Sequence, residues 1–290
     1  MSESAPDIET TPQFVGKRAV APRGAAPFRW ERKAMGFHSL LVYIFLYAPI
    51  VILVAFSFNE AKQTARWEGF TLQWYGRLME NKLILKSMMN SLLVAGTATV
   101  VCTLIGTLAA LALGRYEFKG KGPTQALLFL PIIIPEIVLG VAMVTFFGVI
   151  QMRLSVWTVI ISHIVFSVSY VAIVVRARLA GFDRSLEEAA MDLGAGPVQT
   201  FFRVTLPLIL PGVIAGALLV FTISIDDYVI TSFVAGAGAT TLPLQIYSMI
   251  KVGVTPEVNA ISTLLLLFTI VMIIVAQRLQ QPPTEKGERK

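Results

Sequence analysis

A chain of 290 residues that is 55% hydrophobic and only 14% charged, with a mean hydropathy of +0.71, is too apolar to fold as a soluble domain of that length. Its net charge of +6 does not point to nucleic acid, because the basic residues are scattered through short hydrophilic stretches and do not form a stripe interleaved with aromatics. The single cysteine, Cys102, lies in an apolar run, which excludes an intrachain disulfide and leaves a thiolate metal site without ligands, so it is expected as a small core residue.

Residues 1–34 are rich in Ala, Pro, Gly and Arg and too poor in large apolar side chains to build a core, so they are expected as a disordered tail. The first apolar run, 37–58, is as long as a membrane span and has no small-x-small cleavage site after it, which favours a retained helix over a signal peptide. With the loop behind it, this run makes up the segment 35–86. The loop carries Trp67, Phe70, Trp74 and Tyr75, a density that suits an aromatic belt at the membrane interface or a short amphipathic helix lying on it.

Five more apolar runs follow between residues 87 and 277, at 87–113, 125–150, 156–175, 206–235 and 260–276. Each is near the ~20 residues needed to cross ~30 Å of hydrocarbon, the last at the short limit. The third contains Pro131 and Pro135, which break helical hydrogen bonding, and the fifth is interrupted by Asp226 and Asp227. The expected fold is an all-α bundle of six transmembrane helices. Of the 24 lysines and arginines, all but Lys62, Arg66, Arg77, Lys82, Lys86, Arg153 and Lys251 fall on the face that holds both termini. By the positive-inside rule that face is cytoplasmic, and it includes the loop 177–205 and a second tail at 278–290.

Within that loop the stretch 185–197 is polar and helix-capable. Ser185 and Glu188 have the spacing of a capping box, Ala189, Ala190, Met191 and Leu193 continue a helix, and Gly194 or Gly196 can end it in the left-handed conformation. Pro197 suits the first turn of a second helix. Together Glu188, Ala189, Ala190, Gly194, Val204, Leu206 and Pro207 resemble the EAA signature of permease subunits of ABC importers, with Val204 in place of its isoleucine.

The resemblance implies a type I ABC importer permease bundle whose loop docks on a cytoplasmic ATPase through Ser185, Glu188, Ala189, Ala190, Gly194, Leu206 and Pro207. It also implies a second homologous permease, two ATPase subunits that bind the ATP and Mg, and an extracytoplasmic substrate-binding protein. Five further stretches, at 47–50, 57–59, 74–75, 224–234 and 246–260, resemble the permeases of spermidine/putrescine importers, so the likeness runs from about residue 36 to 276.

The chain has no G-x-x-x-x-G-K-[ST] loop with which to hydrolyse ATP itself. Its two histidines, His38 and His163, have no nucleophile or second ligand at a useful spacing, and His163 reads as a hydrogen-bonded packing residue. Three acids stand in apolar runs: Glu136, Asp226 and Asp227. Burying a carboxylate is costly without compensation, and no Lys or Arg shares their spans. A polyamine would supply the missing positive charge, with Tyr170 and Tyr228 offering aromatic faces to it. Alternatively, Asp226 and Asp227 cap helix ends and Glu136 bonds to a neighbouring helix. Other open readings are an ABC permease for another small solute such as ferric iron, or an ion-coupled secondary transporter, for which broken helices and intramembrane acids serve equally well.

Overall fold

The structure is a computed structural model that describes residues 29–61, 66–181 and 183–280, so most of the tail expected at 1–34 and nearly all of that at 278–290 lie outside it. The chain divides into two units, residues up to Ile50 and residues from Val51. Helix α1 (Arg29–Phe56) starts ahead of the apolar run expected at 37–58, and its stretch Lys33–Phe56 is long and apolar enough to cross a membrane. Tyr43 and Tyr47, one turn apart, stack with their ring centroids separated by 6.2 Å.

From Val51 onward the described residues are helical apart from loops and one isolated bridge between Asn59 and Phe70. The elements are α2 (Gln73–Glu80), α3 (Lys82–Arg115), α4 (Lys121–Ile133), α5 (Glu136–Val149), α6 (Val156–Ala180), α7 (Ser185–Asp192), α8 (Pro197–Thr200), a π turn (Phe201–Thr205), α9 (Leu206–Asp226), α10 (Val229–Val234), α11 (Leu242–Val252) and α12 (Pro256–Gln280). Helices α3, α6 and α12, and the continuous stretch Pro197–Asp226, each have the length and hydropathy of a span.

Helices α3, α6 and α9 pack against one another and form the centre of the bundle. In hydrocarbon, helices gain little from hiding apolar surface, so association depends on close contact, and small residues permit it. Ala95, Ala98, Cys102, Gly106 and Ala110 make a buried stripe of this kind on α3. Val171 of α6 sits between two glycines. A Cβ at Gly106 would lie 2.7 Å from the Val171 Cβ, and one at Gly216 of α9 would lie 3.3 Å from its Cα. Cys102 is buried in this packing, as expected.

The third run differs from a simple span. It breaks between Ile133 and Glu136 into α4 and α5, which meet at 110°. Pro135 has no N–H to continue the ladder, and the last amide of the first half, Ile134, closes on Leu130 O at 3.1 Å. Packing decides where the second half goes, because α5 lies against α10 and buries Phe147. Since α4 begins just after the end of α3 and α5 ends just before α6 starts beside α10, the pair carries the chain from one end of the bundle to the other in two halves. With this pair counted as one span the total among the described residues is 6.

The aromatic loop also departs from a belt. Trp74 is 4% exposed, its indole N–H donates to Asn59 O at 2.7 Å, and it packs with Leu78, Ile84, Leu242 and Ile246. Helix α2 folds back on α3 and α12, so one of its faces is core, while Trp67 and Phe70 remain exposed.

The close approach of α3 to α6 makes Gly106→Leu an overpacking change that should cost about 1–3 kcal/mol or more. Gly96→Leu, where a Cβ would meet nothing within 4 Å, should stay within about 0.5 kcal/mol. Thermal unfolding of the detergent-solubilised protein compares them; equal melting temperatures would show that the helices part easily at this point.

Candidate functional site

Two regions bring the singled-out residues together, one at each end of the bundle. At the end where α3 and α6 finish, α7 and α8 form a helix-turn-helix. The capping box expected of Ser185 and Glu188 is not formed. The residue before the helix, Arg184, already has helical angles, and Asp183 takes the capping role by accepting the Ser185 N–H at 2.9 Å. That bond holds the exposed Asp183 carboxyl below the usual carboxylate range, in which the Ser185 side chain also assists. Asp183 prevails because its short side chain reaches the first free amide from outside the helix, where Ser185 is already one residue too far in. Glu188 is thereby released, and it stands exposed beside Ala189.

The other end of α7 follows the sequence expectation. Gly194 has φ +89°, Ala195 N–H donates to Ala190 O at 3.1 Å, and Gly194 N–H donates to Met191 O at 2.9 Å, the paired bonds of a Schellman motif. Pro197 then opens α8, and the π turn leads without interruption into α9, where Leu206 is half-buried and Pro207 exposed. The surface so presented is apolar as well as acidic: Leu193 is 90% exposed, and Leu186, Met191 and Val198 are exposed with it.

Glu187 is the residue of this loop that sequence reasoning passed over. Its carboxylate pairs with Arg115 Nη1 at 2.6 Å and accepts the Thr205 hydroxyl, which fastens the loop to the end of α3 and to the π turn. Adjacent residues on a helix point about 100° apart, and here Glu187 turns inward while Glu188 faces out. The pair of glutamates was visible; which one turned inward depended on Arg115, far away in sequence.

At the other end, the interrupted fifth run ends α9 at Asp226 and resumes as α10 at Val229. The two aspartates at the break have opposite surroundings. Asp227 is 8% exposed and accepts from Ile230 N, Thr231 N and Thr231 Oγ1 at 3.2, 2.8 and 2.7 Å, with His163 Nε2 at 3.3 Å. It caps α10 and is occupied within the fold. His163 is fully buried and hydrogen-bonded, as its sequence setting suggested.

Asp226 is exposed in an open cavity of about 410 Å³, lined also by Tyr228, Tyr247, Ile246, Ile250, Leu265 and Leu266. One hydroxyl, Thr269 Oγ1, donates to its two oxygens at 3.1 and 3.2 Å, and no described Lys, Arg or His pairs with it. As the last residue of α9 it also sits where the helix dipole disfavours an anion. The rings of Tyr228 and Tyr247 lie 4.4 Å apart, and Lys251 Nζ lies 4.8 Å from the centre of the Tyr247 ring. Tyr247 was not singled out from the sequence, because nothing local joins α11 to the break after α9.

Glu136 and Tyr170 do not line this cavity; they are electrostatic neighbours of one another. Glu136 opens α5 at the 110° bend, exposed, at a helix end that suits a carboxylate. Tyr170 is half-buried on α6, edge-on to Phe166 at 5.8 Å.

Residues 102–281 match the family described as "Binding-protein-dependent transport system inner membrane component". The chain is 43% identical over 244 residues to the "Spermidine/putrescine transport system permease protein PotC" of Escherichia coli (strain K12), covering 84% of this chain and 92% of that relative. It is 41% identical over 235 residues to the "Putrescine transport system permease protein PotI" of the same organism, covering 78% and 83%. Among solved structures it is similar to a chain of a bacterial ABC transporter involved in the import of the acidic polysaccharide alginate, with a TM-score of 0.66 over 87% of this chain and 99% of that one. At 20% identity that likeness speaks for the fold alone. A helical membrane bundle carrying the loop geometry described above, with relatives of this closeness, belongs to the family of binding-protein-dependent transport system inner-membrane components: it is a multi-pass permease subunit and not an ATPase.

Proposed function

We propose that this chain forms one side of the pathway through which an ATP-driven importer moves polyamines of the spermidine and putrescine class into the cytoplasm. The observation that carries the substrate is Asp226, an exposed carboxylate at a helix C-terminus with no described basic partner, in a cavity walled by two tyrosines and four large aliphatic side chains. A polyamine needs these three things: a carboxylate for an ammonium, aromatic faces for a second or for the adjoining methylenes, and apolar walls for the chain. The Tyr247 ring already holds an ammonium, that of Lys251. The relatives named above carry the same substrate class in their names. Ferric iron as cargo is less well served, because the described residues contain no group of three His, Cys, Asp or Glu that could hold a metal. Glu136 with Tyr170 makes a second station at the bend, and Asp227 acts on the pathway by shaping the break that presents Asp226.

The loop 177–205 and both termini are cytoplasmic in this reading. There the exposed face of Glu188, Ala189, Met191 and Leu193 enters a cleft on an ATPase subunit, and Ser185, Ala190, Gly194, Leu206 and Pro207 keep the loop in shape. Two such ATPases bind the ATP and Mg, a second homologous permease completes the pathway, and an extracytoplasmic polyamine-binding protein delivers the substrate.

Two outcomes test the proposal. In the reconstituted complex, Asp226→Asn should lower spermidine uptake at least tenfold, the equivalent of ~1.4 kcal/mol, and Tyr247→Leu several-fold. Uptake at the wild-type rate in Asp226→Asn would remove the cation site. Gly194→Val forces a β-branched residue into the left-handed region, so it should preserve membrane insertion but abolish the stimulation of ATP hydrolysis by loaded binding protein. Full stimulation in that variant would place the ATPase dock elsewhere.

A further inference from the structure

We propose that His163 is a positioning residue for substrate: it fixes the direction in which the Asp226 carboxylate is presented, although it does not line the cavity. The inference rests on the reading of Asp226 as the cation site. His163 projects from α6 into the break between α9 and α10 and engages both sides of it. Its Nδ1 lies 2.6 Å from Ser224 Oγ, two residues before Asp226, and its Nε2 lies 3.0 Å from Thr231 Oγ1 and 3.3 Å from Asp227 Oδ2, beyond it. All three partners are buried, as is the imidazole itself.

The proton positions follow from the network. Thr231 spends its one hydroxyl proton on Asp227 Oδ2 at 2.7 Å, so toward His163 it can only accept, which puts a proton on Nε2. In the neutral ring Nδ1 is then the acceptor, and the Ser224 hydroxyl is its donor.

Asp226 is the residue between the two anchored positions. Ser224 is tied on its N-terminal side and Asp227 on its C-terminal side, where the backbone is extended at φ −65° and ψ 124°. Asp226 itself is still helical, so the backbone changes conformation between the two aspartates and their side chains leave it in different directions. With Asp227 held inward against His163, Asp226 is turned outward into the cavity with Tyr228 and Tyr247. A buried group 63 positions earlier in the chain thus selects which of two adjacent carboxylates meets the substrate.

The experiment is a double-mutant cycle on spermidine uptake, measured per assembled complex, with saturating loaded binding protein. The variants are His163→Leu, Asp226→Asn and the pair, with His163→Gln as the conservative change that keeps a donor near Asp227. Each single change should lower uptake about tenfold and the pair no further than about tenfold, because both act through one carboxylate. His163→Gln should recover to within about threefold of wild type. Losses that multiply to about a hundredfold in the pair, or no recovery by Gln, would overturn the inference and leave His163 a packing residue. If Leu prevents assembly, the same cycle runs with His163→Asn, and the same multiplicative result overturns it. A silent His163→Leu beside an impaired Asp226→Asn removes this inference alone, whereas a silent Asp226→Asn removes the cation site on which it rests.

Discussion

A polar group inside hydrocarbon must find its partner within the protein, and most of this fold follows from that constraint. It makes the spans helical, since only the helix satisfies each backbone group locally. It also sets the terms on which the chain is allowed to break. Where α9 gives way to α10, the side chain of Asp227 takes the amides of Ile230 and Thr231, and His163 closes the remaining valences of the group. Where Pro135 ends α4, the exposed side chain of Glu136 stands at the head of α5 and its charge complements the free amides there. Both breaks carry acids because a broken helix offers unpaired amides. Asp226 is the exception: among the described residues, the side chain that hydrogen-bonds to it is that of Thr269 alone.

Close packing supplies the rest of the stability. With lipid on one side and helix on the other, apolar surface gains little by being covered, so the α3, α6 and α9 core relies on how near backbones can come. Gly106 and Gly216 on either side of Val171 bring three helices to one point. The α7–α8 loop and the cavity around Asp226 lie on either side of this point.

Much of this was legible in the sequence, and the limits have physical causes. Apolar runs of sufficient length exposed the spans, and Gly194 and Pro197 announced the turn of the loop, because each of these signals is local. Pro131 and Pro135 announced a break, but the 110° angle is set by the packing of α5 on α10, which no local signal encodes. Ser185 offered a capping box and Asp183 displaced it from two residues upstream. Trp74 looked interfacial and proved to be core, because α2 folds back on α12. The aspartate pair was conspicuous, yet its division into a structural and an exposed member was decided by a histidine on another helix, and Tyr247 joined the site from a third.

The stretch Pro197–Asp226 is helical throughout its 30 residues, so it runs about 45 Å from the α7–α8 loop to the acid in the cavity. Near its middle, a Cβ on Gly212 would come within 2.9 Å of the Arg178 side chain, and one on Gly216 would come within 3.3 Å of the Val171 backbone. These contacts make a fulcrum near the middle of the stretch. A rod pivoted at its centre converts a tilt of only about 5° into a displacement of about 2 Å at each end, in opposite directions. That distance exceeds the tolerance of a hydrogen bond such as the one from Thr269 to Asp226. A small tilt at the α7–α8 end of the stretch would therefore reach its other end as a swing of Asp226 in the opposite direction.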